Sequence, residues 1–138
     1  MSNTGMKTRV MVVEDDTFRR MGICSFLKKG HPGMGMEVVA ELTRARGILG
    51  QVVWHRPHLV VVSMLAPGFD LATVTEKIAD RGLARVILLI DRKDRKRLPE
   101  LRKTGLGCCI TDVLPSDFAQ LVRDTLASPS AFDVARIG

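Results

Sequence analysis

One stretch of the sequence indicates the fold of this chain: Arg56-Pro57-His58-Leu59-Val60-Val61-Val62-Ser63-Met64-Leu65-Ala66-Pro67-Gly68-Phe69-Asp70. Its apolar run is rich in β-branched residues and is closed by a Pro-Gly turn, a pattern that predicts a central strand buried on both faces of a sheet. In an open parallel sheet, ligands and chemistry gather outside the carboxyl ends of the strands. Ser63, at the end of this run, therefore stands where a functional residue is expected.

Further apolar runs alternate with helical patterns on either side of this strand. They predict strands over residues 9–13, 37–41, 85–90 and 108–110. Apolar residues at helical spacing predict helices after the first strand, over about 44–55 and 70–81, and from Pro115 onward. The first helix is expected to turn five side chains toward the core: Phe18, Met21, Ile23, Phe26 and Leu27.

This alternation predicts the fold class. Strands that alternate with helices of this length imply right-handed βαβ units. The expected fold is α/β, a three-layer α/β/α sandwich around a doubly wound, five-stranded parallel sheet of the flavodoxin-like kind. The chain has 138 residues and 46% hydrophobic content, which suits one domain over residues 1–127 with a linker-like tail at 128–138.

Composition excludes several classes of function. No run approaches the roughly 20 apolar residues of a membrane-spanning helix, so a soluble, cytoplasmic protein is expected. Cys24, Cys108 and Cys109 lack metal-ligand spacing and are interpreted as small buried hydrophobes. No Gly-rich phosphate loop follows the first strand, and no nucleophile stands beside a base. We therefore expect neither an enzyme nor a resident cofactor nor a small-molecule substrate.

Positive charge is concentrated in one segment. The chain carries a formal charge of +6. Residues 92–103, called the basic segment, contribute +5 of it, because seven cations face only Asp94 and Glu100. The seven cations are Arg92, Lys93, Arg95, Lys96, Arg97, Arg102 and Lys103. Pro99 lies inside the segment, so a short helix of irregular geometry is expected there.

An acidic cluster, Glu14-Asp15-Asp16, follows the first strand. Together with the strand alternation and the Pro-Gly loop, this cluster resembles the receiver domain of bacterial response regulators over residues 9–126. Within this family, the sequence is most similar to the NarL-like subgroup. The similarity lies in Arg19-Arg20-Met21-Gly22-Ile23, in Met36-Glu37-Val38-Val39-Ala40-Glu41 and in Gly105. That subgroup usually carries a LuxR-type helix-turn-helix after the receiver, and this sequence contains none.

The resemblance implies a phosphorylation site that has been lost. In the family, a histidine kinase's phosphoryl group passes to an Asp at the end of the third strand, with Mg²⁺, a hydroxyl and a Lys as helpers. Those Asp, hydroxyl and Lys positions correspond to Ser63, Ile90 and Asp112. No Asp or Glu lies within residues 55–69, no Ser or Thr within 86–103, and no Lys or Arg within 104–122, so a small alignment slip restores none of them.

Two functions follow as expectations. The first is a pseudo-receiver that acts through phosphorylation-independent protein contacts or as a homodimer through the basic segment, with any DNA contact left to a C-terminal output domain. The second is a polyanion or nucleic-acid contact through the same cations. Two interpretations remain for the acidic pair, Glu14 and Asp15. The pair binds Mg²⁺ weakly, or it stabilises the start of a helix and pairs with nearby cations. The Ser63 hydroxyl is expected to satisfy backbone groups at the strand end.

Overall fold

The computed structural model describes residues 7–29, 35–111 and 115–127. The expected tail, 128–138, and Asp112 lie outside this part of the chain. The strands are β1 (Thr8–Val13), β2 (Met36–Leu42), β3 (Leu59–Ser63), β4 (Arg85–Ile90) and β5 (Gly107–Ile110). The helices are α1 (Thr17–Lys29), α2 (Ile48–His55), α3 (Thr73–Ala79), α4 (Leu98–Arg102) and α5 (Pro115–Ala127), and a 3₁₀ helix (Arg92–Arg97) leads into α4.

The five strands form one parallel sheet in the order β2-β1-β3-β4-β5. β3 lies at its centre, and every residue of Leu59–Ser63 is buried. A parallel strand with both faces covered reads as a continuous apolar run, which explains why this stretch identified the fold. The predicted fold class is confirmed.

Two apolar cores cover the two faces of the sheet, because successive strand side chains point to opposite sides. On one face, Val61 and Ile87 pack with residues of α1 and α5, including Leu27 and Val122. On the other face, strand residues pack with α2, α3 and α4 through Val52, Ile78 and Leu101, among others. The helices therefore flank the sheet on both sides, as a doubly wound fold requires.

The predicted inward face of α1 is partly wrong. Phe18 is 85% exposed and Met21 is 60% exposed, whereas Cys24 and Leu27 are buried. The apolar residues of this helix fit more than one stripe at helical spacing, and packing against the sheet selects the stripe that contains Cys24 and Leu27. Phe18 and Met21 belong to the stripe left in solvent.

The predicted helix over residues 44–55 begins later, at Ile48. Gly47 precedes it with φ 79, a left-handed conformation that cannot continue a right-handed helix backward. Of the apolar residues at helical spacing in this segment, Ile48 and Val52 are buried, whereas Val53 is 59% exposed.

The other helices start as the sequence indicates. Asp70 caps the helical turn before α3: its Oδ1 accepts a hydrogen bond from the Ala72 N–H at 3.1 Å, and its Oδ2 accepts one from the Thr73 hydroxyl at 2.9 Å. α3 itself is π-helical, with the Asp80 N–H donating to the Thr75 carbonyl at 2.7 Å. In the basic segment, Pro99 falls in the first turn of α4, where its missing N–H costs no helical hydrogen bond.

Candidate functional site at the carboxyl edge of the sheet

The strand ends bring three predicted site residues to one edge. Val13 is paired with Val62, so Glu14 and Ser63 follow at the carboxyl ends of neighbouring strands. Ser63 is paired with Leu89, which places Ile90 at the end of the next strand. Glu14, Ser63 and Ile90 therefore terminate β1, β3 and β4 side by side.

Glu14 is the buried charge of this edge, at 1% exposure. Its Oε2 accepts a hydrogen bond from the Asp16 N–H at 3.0 Å, and its Oε1 lies 3.4 Å from Nη1 of Arg19. Its backbone carbonyl accepts a hydrogen bond from Nη1 of Arg20 at 2.9 Å. Burial of a carboxylate requires a partner charge or several donors, and the start of α1 supplies both.

The rest of the acidic cluster has separate roles. The Asp16 Oδ1 accepts a hydrogen bond from the Arg19 N–H at 2.8 Å, which caps the first turn of α1. Asp15 is exposed. The cluster thus supplies one helix cap, one carboxylate paired with Arg19, and one carboxylate in solvent.

Ser63 is also buried, at 1% exposure. Its hydroxyl oxygen accepts a hydrogen bond from the Leu65 N–H at 3.1 Å, and its carbonyl accepts one from the Ala66 N–H at 3.1 Å. These bonds close the turn after β3, which is the local role expected of a strand-end serine. Among the hydrogen bonds of the described residues, none joins the Ser63 hydroxyl to a histidine or a carboxylate.

Ile90 is fully buried in the core shared with α2, α3 and α4. Its carbonyl accepts a hydrogen bond from the Thr111 N–H at 2.9 Å, which continues the pairing of β4 with β5. An aliphatic side chain thus occupies the end of β4. Asp112, which corresponds to the Lys position of the family, falls outside the described residues.

The carboxyl edge fits Mg²⁺ poorly. Magnesium prefers oxygen ligands in near-octahedral geometry, usually with one or two carboxylates. Here the Glu14 oxygens are engaged by Arg19 and the Asp16 N–H, and Ser63 offers a neutral hydroxyl. In the ranges that the structure covers, no group of three or more His, Cys, Asp or Glu side chains is arranged to hold a metal ion.

Arg19 was missed as a site residue by sequence reasoning, which used Arg19-Arg20 only as a family resemblance. The available signal was its position five residues after Glu14, within the first turn of the helix that follows the strand. Only the packing of α1 shows which of the two arginines reaches the buried carboxylate.

The basic segment lies beyond Ile90, on the 3₁₀ helix and α4. All seven of its cations are exposed, while Leu101 is buried and anchors the segment to the core. Lys93 Nζ lies 3.8 Å from a carboxylate oxygen of Asp91. The segment therefore presents concentrated positive charge on a fixed scaffold.

The three thiols are packed rather than poised for chemistry. Cys24 and Cys109 are buried and Cys108 is half-buried, all without a disulfide. Burial raises the pKa of the Cys108 thiol to about 11, although the Arg102 charge opposes this. Burial also raises the pKa of Cys24 and of Cys109 to about 11. A reactive cysteine requires a lowered pKa, so these thiols have the character of inert core residues.

No protein-family model matches this sequence. In the described part of the chain, no helix is both long and apolar enough to cross a membrane.

Two curated proteins share sequence similarity with this chain. A protein-glutamate methylesterase/protein-glutamine glutaminase of Alkalilimnicola ehrlichii is 29% identical over 119 residues, which is 86% of this chain and 29% of that protein. The transcriptional regulatory protein PdtaR of Mycobacterium tuberculosis is 22% identical over 121 residues, 83% of this chain and 57% of PdtaR. The chain thus spans less than two thirds of the length of either relative.

The fold is shared with solved response regulators. A two-component response regulator of the LuxR family from Aurantimonas sp. SI85-9A1 superposes with a TM-score of 0.73 at 22% identity. The match covers 95% of this chain and 94% of that one. The resemblance that the sequence indicates is confirmed at the level of fold: the chain has the fold of response-regulator receiver domains.

Proposed function

We propose that this chain is the receiver module of a two-component regulator and that it works without phosphorylation, through constitutive protein contacts. One observation carries the proposal. At the acceptor position of the fold, the end of β3, stands a buried serine whose hydroxyl oxygen is hydrogen-bonded to the Leu65 N–H. The fold supports a receiver, and the residues at the edge argue against phosphoryl transfer.

Ser63 has the wrong chemistry for an acceptor. A serine hydroxyl is a weak nucleophile unless an adjacent base removes its proton. Among the described residues, the hydroxyl is hydrogen-bonded to the Leu65 N–H, which occupies a lone pair of the hydroxyl oxygen and cannot act as a base. Burial at 1% exposure also keeps the side chain from a phosphodonor or a serine kinase.

The surrounding charges support the same interpretation. Phosphoryl transfer depends on cations that neutralise the phosphoryl oxygens, supplied in this fold mainly by a metal held on carboxylates. In this chain the Glu14 carboxylate is paired with Arg19, so the charge of Glu14 is already balanced within the protein. Mg²⁺ binding at Glu14 and Asp15 would have to displace this ion pair.

A module without a chemical switch has one consequence for regulation. A modification shifts a conformational equilibrium only by its differential affinity for the two states. Without it, the conformer is set by sequence and by partners. The buried Ile90, wedged in the core at the end of β4, fits a single fixed conformer of this edge.

The direct test is incubation of the intact protein with acetyl phosphate and Mg²⁺, followed by mass spectrometry of the whole chain. We expect no mass increase from a phosphoryl group, under conditions in which a conventional receiver is modified. A covalent adduct on this chain would overturn the proposal, and its position would identify the acceptor.

The partner contact is assigned to the basic segment, with a second copy of the chain as the first candidate. The test is size-exclusion chromatography with light scattering at low and high salt, on wild type and on a charge reversal of Arg95, Lys96 and Arg97. A reversal of Lys28, Lys29 and Lys77, which are exposed on α1 and α3, makes the same change in net charge and serves as the control. A dimer lost only in the first variant supports the assignment, and monomers throughout would contradict self-association through this segment.

The seven exposed cations also favour a second candidate function, contact with a polyanion such as nucleic acid. Binding of this kind weakens steeply with salt, since each phosphate contact releases counterions. Fluorescence anisotropy with a labelled DNA duplex should then show a steep salt dependence that the charge reversal of Arg95, Lys96 and Arg97 reduces. Weak dependence on salt would exclude this function.

The regulatory setting is proposed from the relatives. PdtaR is a transcriptional regulatory protein, and this chain covers 57% of it. We place the chain in the cytoplasm as part of such a regulator, with DNA contact made by an output domain outside this sequence. A receiver that only makes protein contacts needs no enzymatic activity of its own.

A further inference from the structure

A second cluster of cations lies at the opposite edge of the sheet, where the strands begin. The Arg9 N–H donates a hydrogen bond to Nδ1 of His58 at 2.9 Å, and the His58 N–H donates to the Arg9 carbonyl at 2.8 Å. Nε and Nη2 of Arg9 donate to the Arg56 carbonyl at 3.0 and 2.8 Å. These bonds hold Arg9, Arg56 and His58 together at the amino ends of β1 and β3.

Arg56 adopts an unfavourable backbone conformation. Its φ of 50 and ψ of 54 are left-handed, and among the described residues it is the non-glycine residue with positive φ. Glycine is the usual residue at this position after a helix, because the Cβ of any other residue crowds the backbone there. A charged side chain at a position suited to glycine is the kind of outlier that accompanies a functional surface.

The local potential is positive. Among the ion pairs of the described residues, none includes Lys7, Arg9 or Arg56. The pKa of His58 is lowered by desolvation and then by the charges of Arg9 and Arg85. Strand register places the exposed Glu37 beside Arg9 without an ion pair between them.

An exposed aromatic side chain lies at the end of α2, close in sequence to Arg56. Trp54, the single Trp of the sequence, is 81% exposed and lies two residues before Arg56. Its neighbour Val53 is 59% exposed. Trp and Arg are the residues most enriched among those that carry the binding energy of protein interfaces, where an apolar anchor is surrounded by polar contacts.

We propose that this amino-edge surface, formed by Lys7, Arg9, Val53, Trp54, Arg56 and His58, binds an acidic segment of a protein partner with Trp54 as its apolar anchor. Charge complementarity selects an acidic occupant. A protein fits better than single-stranded nucleic acid, because nucleic-acid grooves of that kind stack successive bases on several aromatic side chains. Here the sequence contains no Tyr, and the other strongly exposed aromatic among the described residues, Phe18, lies on α1. The proposal is independent of the chemistry at Ser63.

The single Trp makes binding directly observable. The probe is a short synthetic peptide of Glu residues interrupted by single Leu residues, titrated into the intact chain while Trp fluorescence is recorded. A saturable blue shift of the emission is expected, because docking removes the indole from water. A Lys-for-Glu version of the peptide and an oligothymidylate of similar length are the comparison ligands, and neither should reproduce the shift.

Three variants separate binding from folding. Arg56→Gly suits the left-handed backbone and should keep or raise thermal stability while weakening peptide binding about fivefold, as expected for one lost charge contact. Glu37→Gln removes the neighbouring acidic charge and should strengthen binding. Lys77→Gln removes one exposed cation of α3, outside the amino-edge surface and the basic segment, and should change nothing.

A fourth variant tests the anchor. Trp54→Ala, followed by anisotropy of a labelled peptide, should lose at least tenfold in affinity, the scale of an interface anchor. Absence of any emission change with the acidic peptide would overturn the proposal. So would an equal loss in Arg56→Gly and Lys77→Gln, unchanged affinity in Trp54→Ala, or tighter binding of the oligonucleotide than of the peptide.

Discussion

Replacing Ser63 by Asp should destabilise this protein, even though Asp is the residue that the receiver fold usually carries at this position. Ser63 is buried at the end of β3, and Glu14 is buried at the end of the adjacent β1. Neighbouring strands lie about 5 Å apart. Two carboxylates at that separation, in an effective dielectric of about 20, repel by about 3 kcal/mol.

The charge effect is isolated by comparison with Ser63→Asn, which has nearly the same size and no charge. The Arg19 side chain, 33% exposed and 3.4 Å from Glu14, offsets part of the repulsion. We therefore expect Ser63→Asp to be about 2 kcal/mol less stable than Ser63→Asn in urea unfolding at neutral pH. In a Glu14→Gln background the difference should shrink by about this amount, because the repelling partner has been removed and only the cost of burying the new carboxylate is left.

Equal stability of the Asp and Asn variants would refute this reasoning. A difference that is undiminished in the Glu14→Gln background would refute it as well, since the whole cost would then come from burying the charge and none from Glu14. Either result would also weaken the view that the charge of Glu14 is balanced by Arg19 without a metal ion.

Four further predictions rest on individual contacts. Gly68→Ala should lower the stability of the protein by at least about 1 kcal/mol, since Gly68 has φ +83 and an added Cβ would lie 2.8 Å from the backbone nitrogen of Arg46. Gly50→Ala, in open space on α2, is the control and should not lower the melting temperature. Thr125→Val should raise the free energy of unfolding in urea by about 1 kcal/mol, because it removes a buried hydroxyl that has no hydrogen-bond partner among the described residues; a lower free energy would contradict this. Thiol titration at pH 8 should be much slower in the folded protein than in urea, as all three cysteines have a pKa of about 11. Desolvation lowers the pKa of His58 in the folded protein below 6.5, so protonation of His58 favours the unfolded state. The free energy of unfolding should therefore fall slightly as the pH drops below that value. His58→Gln should remove this pH dependence.

Much of the carboxyl-edge site was accessible from sequence, because strand ends are local features. The run that ends at Ser63 and the acidic cluster after β1 both mark where a parallel strand stops, and parallel strands end at the same edge. The Glu14–Arg19 pair was not accessible in this way. It depends on the rotation of α1 about its axis, which is fixed by packing against β1 and β2.

The amino-edge surface shows the same division. Nothing in the order Trp54-His55-Arg56 indicates that Arg56 adopts a left-handed conformation or that its carbonyl accepts two hydrogen bonds from Arg9. Arg9 lies 47 residues earlier in the chain. Contacts over such separations follow from strand order, which local patterns do not specify.

From the sequence alone follow the alternating elements, the buried central strand and the absence of an acidic residue at its carboxyl end. These features depend on residue type and on periods of two or 3.6 residues, which are properties of neighbouring positions. Tertiary structure alone decided the strand order β2-β1-β3-β4-β5, the exposure of Phe18 and Met21, and the partner of the buried Glu14. An amphipathic helix can bury any of several stripes, and only the surface against which it packs selects one.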